Sequence, residues 1–270
     1  MFIFEIVTPG TRIAGFDPEK NVKIQSLISH LKTCFFEAST ALGLYTQELN
    51  ELAEDIDIKE IDSNFKRRAE IRKEIERELG DTLNCPSSDL QQIYEDIYFE
   101  TVVRFNREKW SEKYPAQLSR HKITIFAKAF VQALDSFDKF LKILSEHENS
   151  PEALKKIHEV FLDAFPDLRG VRNTVQHMED RSRGLGVWKK GKGHQPIDFK
   201  PPGKFISAAK GAKILMLNNI FGTEYGCTMA DGHYGKVDVS RESMQALQAI
   251  LQCTLDSFQW EGAKEHEPRA

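Results

Sequence analysis

The feature that most constrains this chain is the apolar spacing between Leu118 and Leu144. Leu118, Ile123, Phe126, Ala127, Phe130, Val131, Leu134, Phe137, Leu141 and Leu144 recur at helical steps. A period near 3.6 puts most of them on one side of an α-helix, and so apolar a stripe must be covered by other helices. This helix is the predicted centre of the core. The same spacing runs from Glu19 to Leu52 through Ile24, Leu27, Ile28, Leu31, Phe35, Ala38, Leu42, Tyr45 and Leu49. It returns in Leu90, Ile93, Tyr94, Ile97, Tyr98 and Val102, after a helix start at Pro86-Ser87-Ser88-Asp89. Between them, Asp57 to Leu79 sets Lys66-Arg67-Arg68 and Arg72-Lys73 against Glu70, Glu74, Glu76 and Glu78. That stretch reads as an exposed helix laced with ion pairs and ended by Gly80.

A further helix is predicted through Leu154, Ile157, Val160, Phe161 and Ala164, with Ser150 as N-cap and Pro151 in its first turn. Pro166 interrupts it, so Asp167 to Arg181 is either a kinked continuation or a new helix. Gly184 to Gly211, rich in glycine, proline and lysine, reads as a mobile connection. Extended runs at Ile214 to Ile220 and Lys236 to Val239, separated by glycines, predict a small hairpin or meander. Ser240 to Phe258 returns to helix, with Ser240 as N-cap and Met244, Leu247, Ile250, Leu251 and Leu255 as its buried stripe. The charged tail from Glu261 to Ala270 is expected to be disordered. The expected fold is mainly α: an antiparallel helical bundle in one domain over 1–270. A basic loop and β-hairpin at 184–239 are inserted before the last helix.

The net charge of -4 argues against a protein that coats nucleic acid indiscriminately. Positive charge is nevertheless concentrated. From Arg181 to Lys213, Arg181, Arg183, Lys189, Lys190, Lys192, Lys200, Lys204, Lys210 and Lys213 are opposed only by Asp198. No stretch reaches the roughly 20 apolar residues of a membrane-spanning helix. Met1-Phe2-Ile3-Phe4-Glu5 lacks the basic start of a signal peptide, so a cytoplasmic location without membrane partners is expected. Cys34, Cys85, Cys227 and Cys253 are widely separated and read as reduced, mostly buried thiols. Phosphate-loop and H-E-x-x-H zinc patterns are absent from the sequence, and no cofactor or metal is expected.

One segment carries suggestive chemistry. On a helical wheel, Leu168, Val171, Val175 and Met178 form an apolar stripe, while Arg169, Asn173, His177 and Asp180 point the other way. Arg172 and Gln176 lie at the shoulder. Arg172-Asn173-x-x-x-His177 resembles the Arg-x(4 to 6)-His motif of the HEPN superfamily, including the polar residue after the arginine. The order of preceding helices, basic loop, hairpin and closing helix is similar to bacterial HEPN proteins with inserted strands.

The resemblance implies a metal-independent endoribonuclease, with RNA as partner and a homodimer joined through the motif helices. His177 would act as general base or acid, since imidazole changes charge near neutral pH. Arg172 would hold the phosphate and stabilise the transition state. Asn173 would orient the imidazole or touch phosphate, and Asp180 would fix its tautomer. Arg169, Arg181, Lys189, Lys190 and Lys192 are the expected RNA-binding residues, with Trp188 placed to stack on a base or to anchor its loop. The chain departs from HEPN toxins paired with nucleotidyltransferase antitoxins, which carry tyrosine where Glu179 stands here. The other readings are a catalytically silent HEPN-like module that binds RNA, a nucleotide or a protein, and a helical adaptor with no nucleic-acid role. His194 and His233 read as solvated loop residues.

Overall fold

The computed structural model describes residues 2–15, 18–54, 58–79, 87–200 and 214–270. The expected stop at Gly80, the helix start at Pro86, Cys85, and Lys204, Lys210 and Lys213 lie outside the described residues. The chain is mainly α. Strands β1 (Ile6–Thr8) and β2 (Arg12–Ile13) precede helices α1 (Pro18–Glu54), α2 (Ile58–Leu79), α3 (Ser87–Glu112) and α4 (Ala116–Glu146). Helices α5 (Ala153–Ala164), α6 (Leu168–Gln176) and α7 (Met178–Ser182) follow. Strands β3 (Leu185–Lys189), β4 (Gly193–Pro196), β5 (Asn219–Phe221), β6 (Glu224–Thr228) and β7 (Tyr234–Asp238) come before α8 (Arg241–Asp256). Strands β8 (Trp260–Glu261) and β9 (Glu265–Glu267) come last. The inserted strands thus stand before the long C-terminal helix, as the periodicity and turn residues predict.

Two compact units emerge, one formed by Met1–Gln47 with Ile123–Ala270 and the other by Glu48–Lys122. In the smaller unit, α2 and α3 bury Ile71, Ile75, Ile97 and Phe105, with Leu79 and Ile93 beside them. Arg67 pairs with Glu70 and Glu74 on its own helix and with Glu108 on α3, and Arg104 pairs with Glu78 and Glu100. Such solvated pairs are screened by water and salt, so the apolar cluster dominates. Tyr94 and Tyr98, expected on the apolar face of α3, are 52% and 71% exposed. The stripe that α2 covers passes through Ile97 and Phe105 and leaves them outside.

The larger unit holds the main core. Ile24, Ile28, Leu31, Phe35, Leu42 and Tyr45 from α1 are buried, as are Phe130, Leu134, Phe137, Leu141 and Leu144 from α4. Phe161 of α5 stacks on Phe137 with ring centroids 5.6 Å apart. Met244, Leu247, Leu251 and Leu255 add the buried stripe of α8. Each large side chain removed from water contributes roughly 1.5–3 kcal/mol. The expected cap of α8 is present, since Ser240 Oγ accepts the Ser243 amide at 3.2 Å. At α5 the cap position belongs to Glu152 rather than Ser150, and no side chain caps the helix there.

Three readings need correction. The charged tail is ordered: β9 pairs antiparallel with β1, and β8 with β2, placing Glu267 opposite Ile6 and Trp260 opposite Ile13. Lys32 forms an ion pair with Glu267, and Gly10 lets the strands approach, because a Cβ there would sit 2.6 Å from the Glu261 carbonyl oxygen. The partner strands lie at opposite ends of the chain, so no local pattern announces them. Of the stretch expected to be a mobile connection, Leu185 to Pro196 form the β3–β4 hairpin, with Gly191 and Gly193 at φ 79° and 66°, and 201–211 lie outside the described residues. Finally, Ile214 to Asn218 is not strand, and pairing begins at Asn219.

Burial pushes the Cys34 and Cys227 thiols up from 9.0 to about 11, and the Tyr45 and Tyr234 phenols from 10.0 to about 12. These groups stay protonated in the fold while the unfolded chain ionises first, so their contribution is complete below pH 9.0 and is lost towards pH of about 12. Urea midpoints should therefore fall across that window. The fall should be shallower in Tyr45→Phe/Tyr234→Phe; an identical pH dependence would contradict this assignment.

Candidate functional site

Helix α6 is positioned by its buried face. Leu168, Val171 and Thr174 are buried, and the helix packs on β6 and β7. Thr174 Oγ1 donates to the Thr228 carbonyl at 3.3 Å, Cys227 Sγ donates to the Val171 carbonyl at 3.8 Å, and Asp167 Oδ2 accepts the Lys236 amide at 3.1 Å. Gly170 leaves space for Met229 in this approach, because a Cβ there would fall 2.2 Å from Met229 Sδ and the methionine would have to move aside.

The helix does not continue through His177. That residue has φ -126° and ψ 41°, and its amide donates to the Asn173 and Thr174 carbonyls at 3.1 and 3.2 Å. A new short helix, α7, begins at Met178. The single continuous wheel from Leu168 to Arg181 is therefore corrected: the chain breaks at the histidine. The break leaves His177 with 55% of its side chain exposed.

Asn173, His177 and Asp180 nevertheless share one cleft of about 480 Å³, together with Gly170, Arg181, Gly186, Val187, Trp188, His194 and Met229 to Asp231. Three sources build it: the α6–α7 break, the β3–β4 hairpin and the turn between β6 and β7. The cleft brings a second imidazole, His194, opposite the motif. From the sequence alone this residue reads as a solvated loop histidine. The signal that could have found it is the glycine-flanked turn Lys190-Gly191-Lys192-Gly193, which folds β4 back along β3.

Asp180 is largely buried, with 13% of its side chain exposed, and its two oxygens face different groups. Oδ1 accepts from Arg183 Nη2 at 2.6 Å, while Oδ2 lies 3.7 Å from His194 Nε2. His177 Nδ1 is 3.9 Å from Glu179 Oε1, beyond hydrogen-bonding range. Asp231 sits at the rim, 3.2 Å from His233 Nδ1.

The remaining expected site residues scatter. Arg172 does not line the cleft: its Nε donates to Asp135 Oδ1 on α4 at 2.7 Å and its Nη1 to Gln176 Oε1 at 2.8 Å. Arg181 is buried rather than presented on a loop, and its Nη1 donates to the Leu185 and Gly186 carbonyls at 2.5 and 3.1 Å, clamping the base of the hairpin. Arg169 is exposed on α6. Lys189, Lys190 and Lys192 are exposed at the hairpin tip, next to the half-exposed Trp188. The tip is thus positive, while the cleft lining mixes Asp180 and Asp231 with Arg181.

The chain matches no family model, no curated protein and no solved structure. The site is read from its own chemistry.

Asp135 is 2% exposed and also pairs with Lys139 Nζ at 2.6 Å, so it stands between two cations and anchors α6 to α4. Removing it leaves Arg172 without its anion. Asp135→Ala should lower stability by about 2 kcal/mol, below the roughly 3–5 kcal/mol of a fully buried pair because Arg172 is partly solvated. Asp135→Leu combined with Arg172→Met should recover most of the loss in denaturant melts. An unchanged midpoint for Asp135→Ala would show that the pair does not anchor the helix.

Proposed function

We propose that this chain is a HEPN-type endoribonuclease that cleaves RNA by internal 2′-hydroxyl attack without a metal. The observation that carries the reading is His177 at the α6–α7 break, exposed to a cleft that also holds His194 and Trp188 beside a lysine-rich tip. Cleavage of this kind needs a base and an acid on opposite sides of the phosphate. His177 takes the proton from the 2′-hydroxyl, the 2′-oxygen attacks phosphorus, and the bond to the 5′-oxygen breaks. The leaving oxygen receives its proton from a second imidazole, supplied by His194 or by a second copy of His177 in a homodimer joined through α6. The products are a 2′,3′-cyclic phosphate and a 5′-hydroxyl. Trp188 offers a face for a base, and Lys189, Lys190 and Lys192 attract the phosphates that follow. Asn173 lies one turn before His177 on the same side and supplies an amide to the phosphate.

Arg172 enters this scheme as a positioning residue within one protomer. Its pairing with Asp135 and Gln176 leaves it outside the cleft. That pairing also favours the second reading, a catalytically silent helical module that binds RNA in the same cleft.

Purified chain incubated with labelled single-stranded RNA in EDTA separates the two. The nuclease reading predicts cleavage to a cyclic phosphate, slowed roughly 100- to 10,000-fold in His177→Ala and also reduced in Arg172→Ala. RNA binding without cleavage would favour the silent module. Cleavage indifferent to His177 would overturn the assignment.

A further inference from the structure

We propose that the same cleft holds a divalent transition-metal site, selective for zinc-like ions, centred on Asp180 and closed by His194, His177 and Glu179. The inference goes beyond the nuclease reading, because the cation binds whether or not RNA is cut.

The first observation is the orientation of the His194 ring. Its Nδ1 lies 3.3 Å from the Gly186 carbonyl oxygen, which can only accept, so Nδ1 carries the proton. In the neutral ring, Nε2 then presents its lone pair to Asp180 Oδ2 at 3.7 Å. Two acceptors facing one another call for a proton or a cation between them. A backbone carbonyl that fixes the remote ring N–H is also the usual outer-shell support of a metal-bound histidine.

The second observation is the grouping of His177 and Glu179 with the same carboxylate. One ligand atom each from His177, Glu179 and Asp180 lies within 4.8 Å of the other two. Tetrahedral bonds of about 2.0–2.1 Å place neighbouring ligand atoms about 3.3–3.5 Å apart. His177 Nδ1 to Glu179 Oε1 at 3.9 Å and His194 Nε2 to Asp180 Oδ2 at 3.7 Å each lie close to that spacing, and His194 joins the group of three through Asp180. His177 and Glu179 are more than half exposed and free of packing constraints that would oppose this. Asp180 Oδ1 already serves Arg183, so Oδ2 is the oxygen offered to the ion.

Charge decides whether a cation is tolerated so close to Arg181 and Arg183. Arg181 Nη1 faces two carbonyl oxygens, and Arg183 is 64% exposed and can swing into water. Glu179, Asp180 and Asp231 outnumber these two cations around the cleft. Two imidazoles with carboxylates suit zinc and its late first-row neighbours, whereas magnesium and calcium prefer all-oxygen sites. An ion bound here occupies the lone pair of His177. If the nuclease reading also holds, zinc suppresses the EDTA-resistant cleavage.

The test uses the tag-free full chain, stripped with EDTA and dialysed. Zinc chloride is titrated by calorimetry and cobalt chloride by visible absorption. One equivalent should bind, with ligand-field bands of a four- or five-coordinate site, and excess magnesium should not displace it. His194→Ala and His177→Ala, both at solvent-accessible positions, should each weaken binding beyond the roughly 10- to 100-fold that loss of an outer-shell partner costs. Asp180→Asn should abolish it. Absence of stoichiometric binding overturns the proposal, and so does binding that survives both histidine variants or disappears in Cys253→Ser. Calorimetry does not involve RNA, so failure of the nuclease reading leaves this result intact.

Discussion

The packing of α6 on the β6–β7 pair is the constraint from which the site follows. A nine-residue helix has little stability of its own, and its place is set by burial of Leu168, Val171 and Thr174. Close approach is possible because Gly170 and Gly235 leave room around Met229: a Cβ on either would lie 2.2 or 2.5 Å from its sulfur. Arg172 then ties the opposite shoulder of the helix to Asp135. With both sides of α6 held, the chain turns at His177, and the imidazole faces a cleft also lined by the hairpin whose base Arg181 clamps. The cleft depends on a helix ending at one residue, because a continuous helix would carry His177 and Asp180 in a different relation to β3 and β4.

Much of the helical framework is legible in the sequence. Period-3.6 stripes locate α1, α4 and α8, and Ser240 caps α8 as its hydroxyl chemistry predicts. Such signals are local, written within one turn of the residues they organise. What escaped is non-local. The pairing of β1 with β9 joins residues about 260 apart in sequence, and a charge-dense tail gives no hint of it. Tyr94 and Tyr98 match a helical stripe but lie exposed, since which part of a stripe is covered depends on the neighbour rather than on the spacing.

The candidate site was half legible for the same reason. Arg172, Asn173 and His177 stand out as a motif, yet spacing alone cannot tell that Arg172 has a buried acid on α4 as its partner. Arg181 looks like one more cation of a basic run, whereas two carbonyl oxygens hold it inside. His194 is invisible until the hairpin brings it across from His177. A motif on one helix thus becomes a cleft only through contributions from three separated segments, and its chemistry shifts from an arginine–histidine pair to two imidazoles around a carboxylate.

RNA cleavage and metal binding make different demands on that arrangement, and both require ligands to enter the same cleft. The direct measurement is two-dimensional NMR of the histidine imidazoles and the Trp188 indole during titration with a 2′-O-methyl oligoribonucleotide, which binds without being cut. The account predicts shifts at His177, His194 and Trp188, with His30, His121, His147, His158 and His266 unmoved. Shifts confined to other histidines, or none at saturating oligonucleotide, would contradict the placement of the RNA site at the α6–α7 break.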